Sequence, residues 1–265
     1  MVLRRPVSQL QGLALQAAAV LFILLVWGAL TWGSPEERVL SPLTLPSPFE
    51  VAGHVKTLWF DAALTRSTGW SLWRILLGFG LAALIGIPVG IAAGCFRAVE
   101  SFLKPVTLFL RNVPIAALIP LTLVWFGLGE TQKVFFIFIA CIGFVIFDTT
   151  RAILDVDERY AETAYTLGAK KHQVIWKVLI PLALPDVFNS LRLLFGLAFG
   201  YIVLAELIDA KFGLGYIVQV AQRRGPREHI YLVLFVIVTL AFCIDRLLWF
   251  TQKKLFPYRF VEEGE

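Results

Sequence analysis

Residues 71–95 read SLWRILLGFGLAALIGIPVGIAAGC, an apolar run of 25 residues whose one charged side chain is Arg74. The hydrocarbon core of a bilayer takes about 20 apolar residues as a helix. In lipid a helix is the one single-segment structure that satisfies its own backbone. The run therefore reads as a membrane-spanning helix. Gly78, Ala82, Gly86, Gly90 and Gly94 recur every fourth residue, which places them on one face. A face of small side chains lets another helix come close. A neighbour in the same subunit is the simpler partner, and a seam with a second subunit is the other. Pro88 removes one helical hydrogen bond and bends the run.

Further apolar runs lie on both sides, at residues 10–32, 105–129, 133–150, 187–208 and 230–250. With 71–95 they make about six spans. The composition agrees: 58% of the chain is hydrophobic and 16% charged, against about half and about a quarter in soluble domains. The fold class is thus all-α, a polytopic membrane protein with one transmembrane domain over residues 1–265 and a polar loop at 152–185. Arg4 and Arg5 precede the first run as they would in a signal peptide. Its core is longer than such a segment needs, and TWGSPEE at 31–37 has no small-x-small cleavage site, so the run is expected to be retained.

The three cysteines (Cys95, Cys141, Cys243) sit singly in apolar runs, and the three histidines are far apart. No metal-ligand spacing or disulfide framework is present, and no catalytic constellation is visible. The net charge of +5 comes from residues beside the spans, where Lys and Arg set orientation, so nucleic acid is not an expected partner. An even number of spans puts both termini on one side. If that side is cytoplasmic it holds Arg4, Arg5, Arg97, Lys104, Arg151, Arg159, Lys170, Lys171, Lys177, Lys253, Lys254 and Arg259. The other side holds Arg38, Lys56, Arg66, Lys133, Lys211, Arg223, Arg224 and Arg227. The excess places both termini inside, with QRRGPREH at 222–229 the main exception.

AETAYTLGAKKHQVIWKVLIPLALP, residues 161–185, then faces the cytoplasm between the fourth and fifth spans. The preceding DVDERYAETAYTL, 155–167, reads as a helix with Asp155, Asp157 and Glu158 in its first turn, where carboxylates meet the positive end of the dipole. Gly168 is a stop signal. A second short helix over about 170–179 is expected to end before Pro181. A helix–turn–helix with small side chains at its corner (Ala161, Ala164, Ala169) fits a groove on a partner; an ordinary solvated loop is the other reading.

The spacing of this hairpin resembles the EAA motif of binding-protein-dependent ABC importer permeases: Glu-Ala-Ala, three residues, Gly, nine residues, Ile-x-Leu-Pro. Glu162, Ala164, Gly168 and Pro181 match, with Thr163, Val178 and Ile180 as mild replacements. PIAALIPLTLVWFGLGE at 114–130, AELIDAKFGLGY at 205–216 and GIPVGIAAG at 86–94 are similar to the nitrate, sulfonate, taurine and bicarbonate branch. The resemblance covers about residues 71–250. It implies a permease subunit in a bacterial-type inner membrane, pairing with a second permease copy as a homodimer. It also implies an ABC ATPase dimer as partner, with ATP and Mg bound there, and an extracytoplasmic substrate-binding protein. Glu162, Thr163, Ala164, Gly168, Ala169, Val178, Ile180 and Pro181 would make the ATPase contact. The chain has no GxxxxGK[ST] phosphate loop, so it is not expected to bind a cofactor or act as an enzyme by itself. The branch suggests a small anion such as nitrate, a sulfonate, taurine or bicarbonate, and also includes permeases for neutral or cationic nutrients and vitamin precursors.

Charges within spans need a reason. Arg74 is placed to snorkel at the outer end of its span. Glu206 lies near the outer end of the fifth. Arg111, Asp148, Arg192, Asp245 and Arg246 fall in inner halves, with Asn112 and Thr149 nearby. An inner ion-pair network and the lining of an inward-facing cavity both stay open. Arg111, Asn112, Asp148, Arg192, Glu206 and Arg246 are the candidates for the translocation path. Residues 48–68, PFEVAGHVKTLWFDAALTRST, read as an interfacial helix with Trp59, Phe60 and Leu64 at the headgroup level. An ATP-independent carrier or channel is the competing function, but six spans without an internal repeat are few for one, and it gives the hairpin no purpose. A membrane-embedded enzyme lacks a visible site.

Overall fold

A computed structural model describes residues 8–34, 36, 38–208 and 210–260; Arg4 and Arg5 lie outside them. The described residues are helical, without strands: α1 (Gln9–Leu30), α2 (Pro48–Gly53), α3 (Val55–Phe60), α4 (Leu64–Cys95), α5 (Arg97–Asn112), α6 (Leu118–Phe126), α7 (Glu130–Leu154), α8 (Glu158–Thr166), α9 (Lys171–Val174), α10 (Ile180–Glu206), α11 (Leu214–Arg223), α12 (Glu228–Leu255) and α13 (Pro257–Phe260). Five continuous helical segments are long and apolar enough to cross a membrane, and the bent α5–α6 pair makes a sixth.

α4 and α7 form the centre. The small-residue face of α4 is turned onto α7, within the subunit. A Cβ placed on Gly78 would fall 2.6 Å from the Val134 carbonyl oxygen. On Gly86 it would fall 2.7 Å from a Val145 methyl, on Gly90 2.6 Å from Thr149 Cβ and on Gly94 2.5 Å from Ile153 Cβ. Contacts that close leave no room for a side chain, so glycine sets the separation of the two helices. Thr150 uses the approach to donate to Gly90 O at 3.3 Å. α10 completes the core, where Ile75, Phe79, Phe136, Ile137, Ala198, Phe199 and Ile202 are buried together.

Several expectations are corrected. The span at 71–95 begins at Leu64, so residues 64–68 are its first turn rather than part of an interfacial helix. The remaining interfacial stretch is two short helices, α2 and α3. Trp59 and Phe60 are exposed as expected, but Leu64 is buried against Val51, Leu58, Leu214 and Val233. The run at 105–129 is not one helix. α5 starts earlier, at Arg97, and the chain turns by 88° before α6. Pro114 is the cause: it has no N–H, and it holds Val113 extended at φ −66°, ψ 128°. The short helix expected to stop before Pro181 does not stop. α9 passes through a π-helical turn, Ile175–Leu179, directly into α10. Pro181 falls in the first turn of α10, and the wider π turn just before it lets the chain continue.

Candidate functional site

The hairpin is built as its sequence dictates. Asp157 caps α8, accepting from the Arg159 amide at 3.0 Å. Asp155, expected in the first turn of that helix, instead caps the end of α7. Gly168 at φ +83° ends α8. Its N–H donates to Tyr165 O and the Ala169 N–H donates to Ala164 O, both at 2.9 Å. This pair of bonds is the Schellman closure. The Gln173 side chain then caps α9 by accepting from the Lys170 amide at 2.7 Å.

Of the hairpin residues singled out in the sequence, Glu162, Thr163 and Gly168 are exposed, while Ala164, Ala169, Val178 and Pro181 are half-buried. Ile180 is buried against Ala152, Ile153, Ala183 and Val187, so it anchors the hairpin to the bundle. Sequence reasoning passed over the large side chains that stand out beside them. Leu167 is 84% and Trp176 70% exposed, with Tyr160 and Tyr165 about half. Their signal was available: apolar bulk on an otherwise polar segment.

The end remote from the hairpin is locked by charge. Arg74 does not snorkel. It is 1% exposed and held by four hydrogen bonds to three groups. Its Nε and Nη2 donate to Glu130 at 2.5 and 2.7 Å, and its Nη1 donates to Glu206 Oε1 at 2.7 Å and to Phe212 O at 2.8 Å. Glu206 has no exposed surface. It also accepts from Ser71 Oγ at 2.8 Å and from the Gly215 amide at 2.9 Å. The Leu214 amide donates to Ser71 Oγ at 2.9 Å. Gly213, at φ +137°, lies against the carboxylate so closely that a Cβ there would meet it at 2.4 Å. Arg74 alone thus ties α4, α7, α10 and the turn into α11. In this conformation Glu206 is closed off from solvent.

The inner charges do not form one network. Arg192 pairs with Asp245 at 2.7 Å and reaches Gln252 at 3.3 Å, and Gln252 in turn donates to Pro185 O at 3.1 Å. This cross-links α10 to α12. Arg246 is exposed beside the rings of Phe242 and Trp249. Thr149 is buried under Gly90. Arg111 lies over the Phe147 ring at 3.6 Å. Among the described residues it forms no ion pair with Asp148, and its buried Nε has no acceptor. Asn112 is exposed and donates back to Leu108 O at 2.8 Å. Among the described residues no group of three potential metal ligands exists.

Comparison with known proteins matches residues 86–255 to the family described as binding-protein-dependent transport system inner membrane component. The taurine transport system permease protein TauC of Escherichia coli (strain K12) is 35% identical over 260 residues, covering 96% of this chain and 92% of that protein. The putative aliphatic sulfonates transport permease protein SsuC of Bacillus subtilis (strain 168) is 32% identical, covering 85% and 82%. The bicarbonate transport system permease protein CmpB of Synechococcus elongatus is 29% identical, covering 93% and 90%. Among solved structures, an inward-facing form of the MetNI methionine ABC transporter superposes with TM-score 0.66 at 21% identity, over 76% of this chain and 98% of that one. That likeness supports the fold.

Proposed function

The chain belongs to the binding-protein-dependent transport system inner membrane component family, and from that premise we propose how this permease subunit works and what it moves. As an ABC importer permease of the inner membrane it acts with an ATPase and a substrate-binding protein. Two copies of the chain pair, and each presents its hairpin to one subunit of an ATPase dimer that binds ATP and Mg. Both termini face the cytoplasm with the hairpin. Glu162, Thr163, Ala164, Gly168 and Ala169 form the corner that enters the ATPase. Leu167, Tyr165 and Trp176 supply apolar contact around it. Ile180 is packed into the bundle, and the chain runs unbroken from α9 through the π turn into α10. A push on the corner therefore reaches the spans without passing through a loop.

The solute is a small oxyanion, of the sulfonate class. The observation that carries this is chemical: the relatives are named for taurine, aliphatic sulfonates and bicarbonate, which share a compact group of anionic oxygens and little else. Affinity purification of the tagged chain in mild detergent, beside Gly168→Val, tests the assembly. Gly168 needs a left-handed backbone that a β-branched residue resists by about 1–2 kcal/mol, while the space around it is open. The wild type should retain an ATPase subunit that the variant loses. Equal retention and equal uptake by both would refute the docking role. Competition of binding-protein-dependent taurine uptake by alkanesulfonates, bicarbonate and uncharged alcohols tests the solute. Competition by the alcohols alone would refute it.

A further inference from the structure

The 88° elbow between α5 and α6 breaks a span in its middle. Leu110, just before the elbow, packs on Gly143 so tightly that a Cβ on that glycine would lie 2.6 Å from Leu110 Cβ. Gly143 is at the centre of α7. The elbow is therefore near the bilayer midplane. The break strips hydrogen bonds from the backbone there. The Leu110 carbonyl faces Pro114, which has no N–H. The Val113 carbonyl, outside both helices, accepts no backbone hydrogen bond among the described residues. Asn112, Pro114, Ala116 and Ala117 are exposed in this subunit. Irregular backbone at that depth cannot face lipid; it persists where protein buries it or where it lines a water-filled path.

Arg111 enters the elbow from its α5 side. No described residue accepts a hydrogen bond from it or pairs with it; it lies against the rings of Phe144 and Phe147. Arg74 and Arg192, by contrast, are each held by carboxylates. A guanidinium at mid-membrane with no carboxylate partner, beside a break in the helix, is suited to the oxygens of an anion.

We propose that the elbow, residues 111–117, lines the aqueous path of the importer at mid-membrane and that Arg111 there receives the oxyanion of the passing solute. This deepens the oxyanion reading above, but its test needs no knowledge of the solute. Asp148, one turn inward on α7 from Phe144, is close enough to feel Arg111 electrostatically, yet it leaves the guanidinium unpaired. It keeps the site's net charge low, so that a bound anion can leave again.

The test uses the assembled transporter in membrane vesicles, with Cys95, Cys141 and Cys243 replaced and retained ATPase activity as the check on folding. Single cysteines are placed as Asn112→Cys and Ala116→Cys, with Phe242→Cys on the exposed apolar face of α12 as lipid-facing reference and Ser41→Cys, exposed in the loop between α1 and α2, as water-facing reference. Each is reacted with anionic methanethiosulfonate ethylsulfonate and with its cationic trimethylammonium counterpart. Both elbow cysteines should react at least roughly tenfold faster than Phe242→Cys, because thiol modification needs water. Their anionic-to-cationic rate ratio, relative to Ser41→Cys, should be raised roughly tenfold, the scale of focusing by one charge in a low-dielectric cleft. Arg111→Gln should abolish that preference and Arg111→Lys should keep it. Reaction at the rate of Phe242→Cys would overturn the aqueous path. Fast reaction without an Arg111-dependent preference would overturn the oxyanion site. Neither outcome bears on whether an ATPase drives the transporter, so failure here is distinguishable from failure of the importer reading.

Discussion

Glu206→Ala should destabilise the folded permease by about 4 kcal/mol. The carboxylate is fully buried and accepts from three donors: the Ser71 hydroxyl, shared between its two oxygens, Arg74 and the Gly215 amide. Removing it leaves Arg74, 1% exposed, with one carboxylate partner where it had two. It also leaves the Gly215 amide without an acceptor. Breaking a buried ion pair from one side costs about 3–5 kcal/mol, and an orphaned buried amide about 1–3 kcal/mol. The two overlap, because Glu130 still neutralises Arg74, so the lower part of the sum applies. For a chain of this size each kcal/mol moves the melting midpoint by about 2–4 °C, giving a fall of roughly 8–16 °C. The assay is fluorescence-detected size exclusion of the purified complex after heating, comparing wild type, Glu206→Ala, Arg74→Met and the double variant. The double variant should lose less than the sum of the singles, since it removes both halves of the pair. A fall of less than about 3 °C for Glu206→Ala, combined with lost uptake, would refute the reasoning. Glu206 would then act on the solute rather than on the fold.

The other predictions concern different parts of the bundle. Gly90→Leu must push α4 from α7, since even a Cβ would sit 2.6 Å from Thr149 and 2.8 Å from Ile146 O. It should cost about 1–3 kcal/mol or more and lower the yield of monodisperse protein, whereas Gly80→Leu, where nothing lies within 4 Å, should not. Arg192→Ala should destabilise more than Arg246→Ala in the same heating assay, because Arg192 is paired with Asp245 at 2.7 Å and Arg246 is exposed beside rings. Outside the membrane, Arg38 grips Glu50 at 2.9 Å and holds its carboxyl down to about 2 from an ordinary value of 4.5. A carboxyl depressed in the folded state stabilises above its unfolded value and loses that contribution as pH falls from about 4.5 towards about 2. The protection of α2 amides against hydrogen exchange, relative to an unstructured peptide at the same pH, should therefore fall over that window in wild type and stay flat in Glu50→Gln.

Much of this protein follows from local chemistry written along the chain. The length and apolarity of the runs specified membrane helices, because in lipid no other single segment satisfies its backbone. The four-residue spacing of Gly78 to Gly94 specified a close helix contact, and Gly168 specified the corner of the hairpin through its backbone freedom. The identity of the close partner was not local: the sequence left open a neighbour or a second subunit, and packing chose α7. The fate of each charge was decided only by tertiary structure. Arg74 and Glu206 are more than 130 residues apart, and nothing in either segment says that one will fill the other's valence. Arg111, Arg192 and Arg246 look alike in sequence, yet packing gives them rings at an open elbow, a carboxylate, and an exposed helix face. Proline carried both kinds of information. Pro114 and Pro181 equally forbid a helical hydrogen bond, but whether the chain turns by 88° or widens into a π turn and runs on depends on what packs against the next residues.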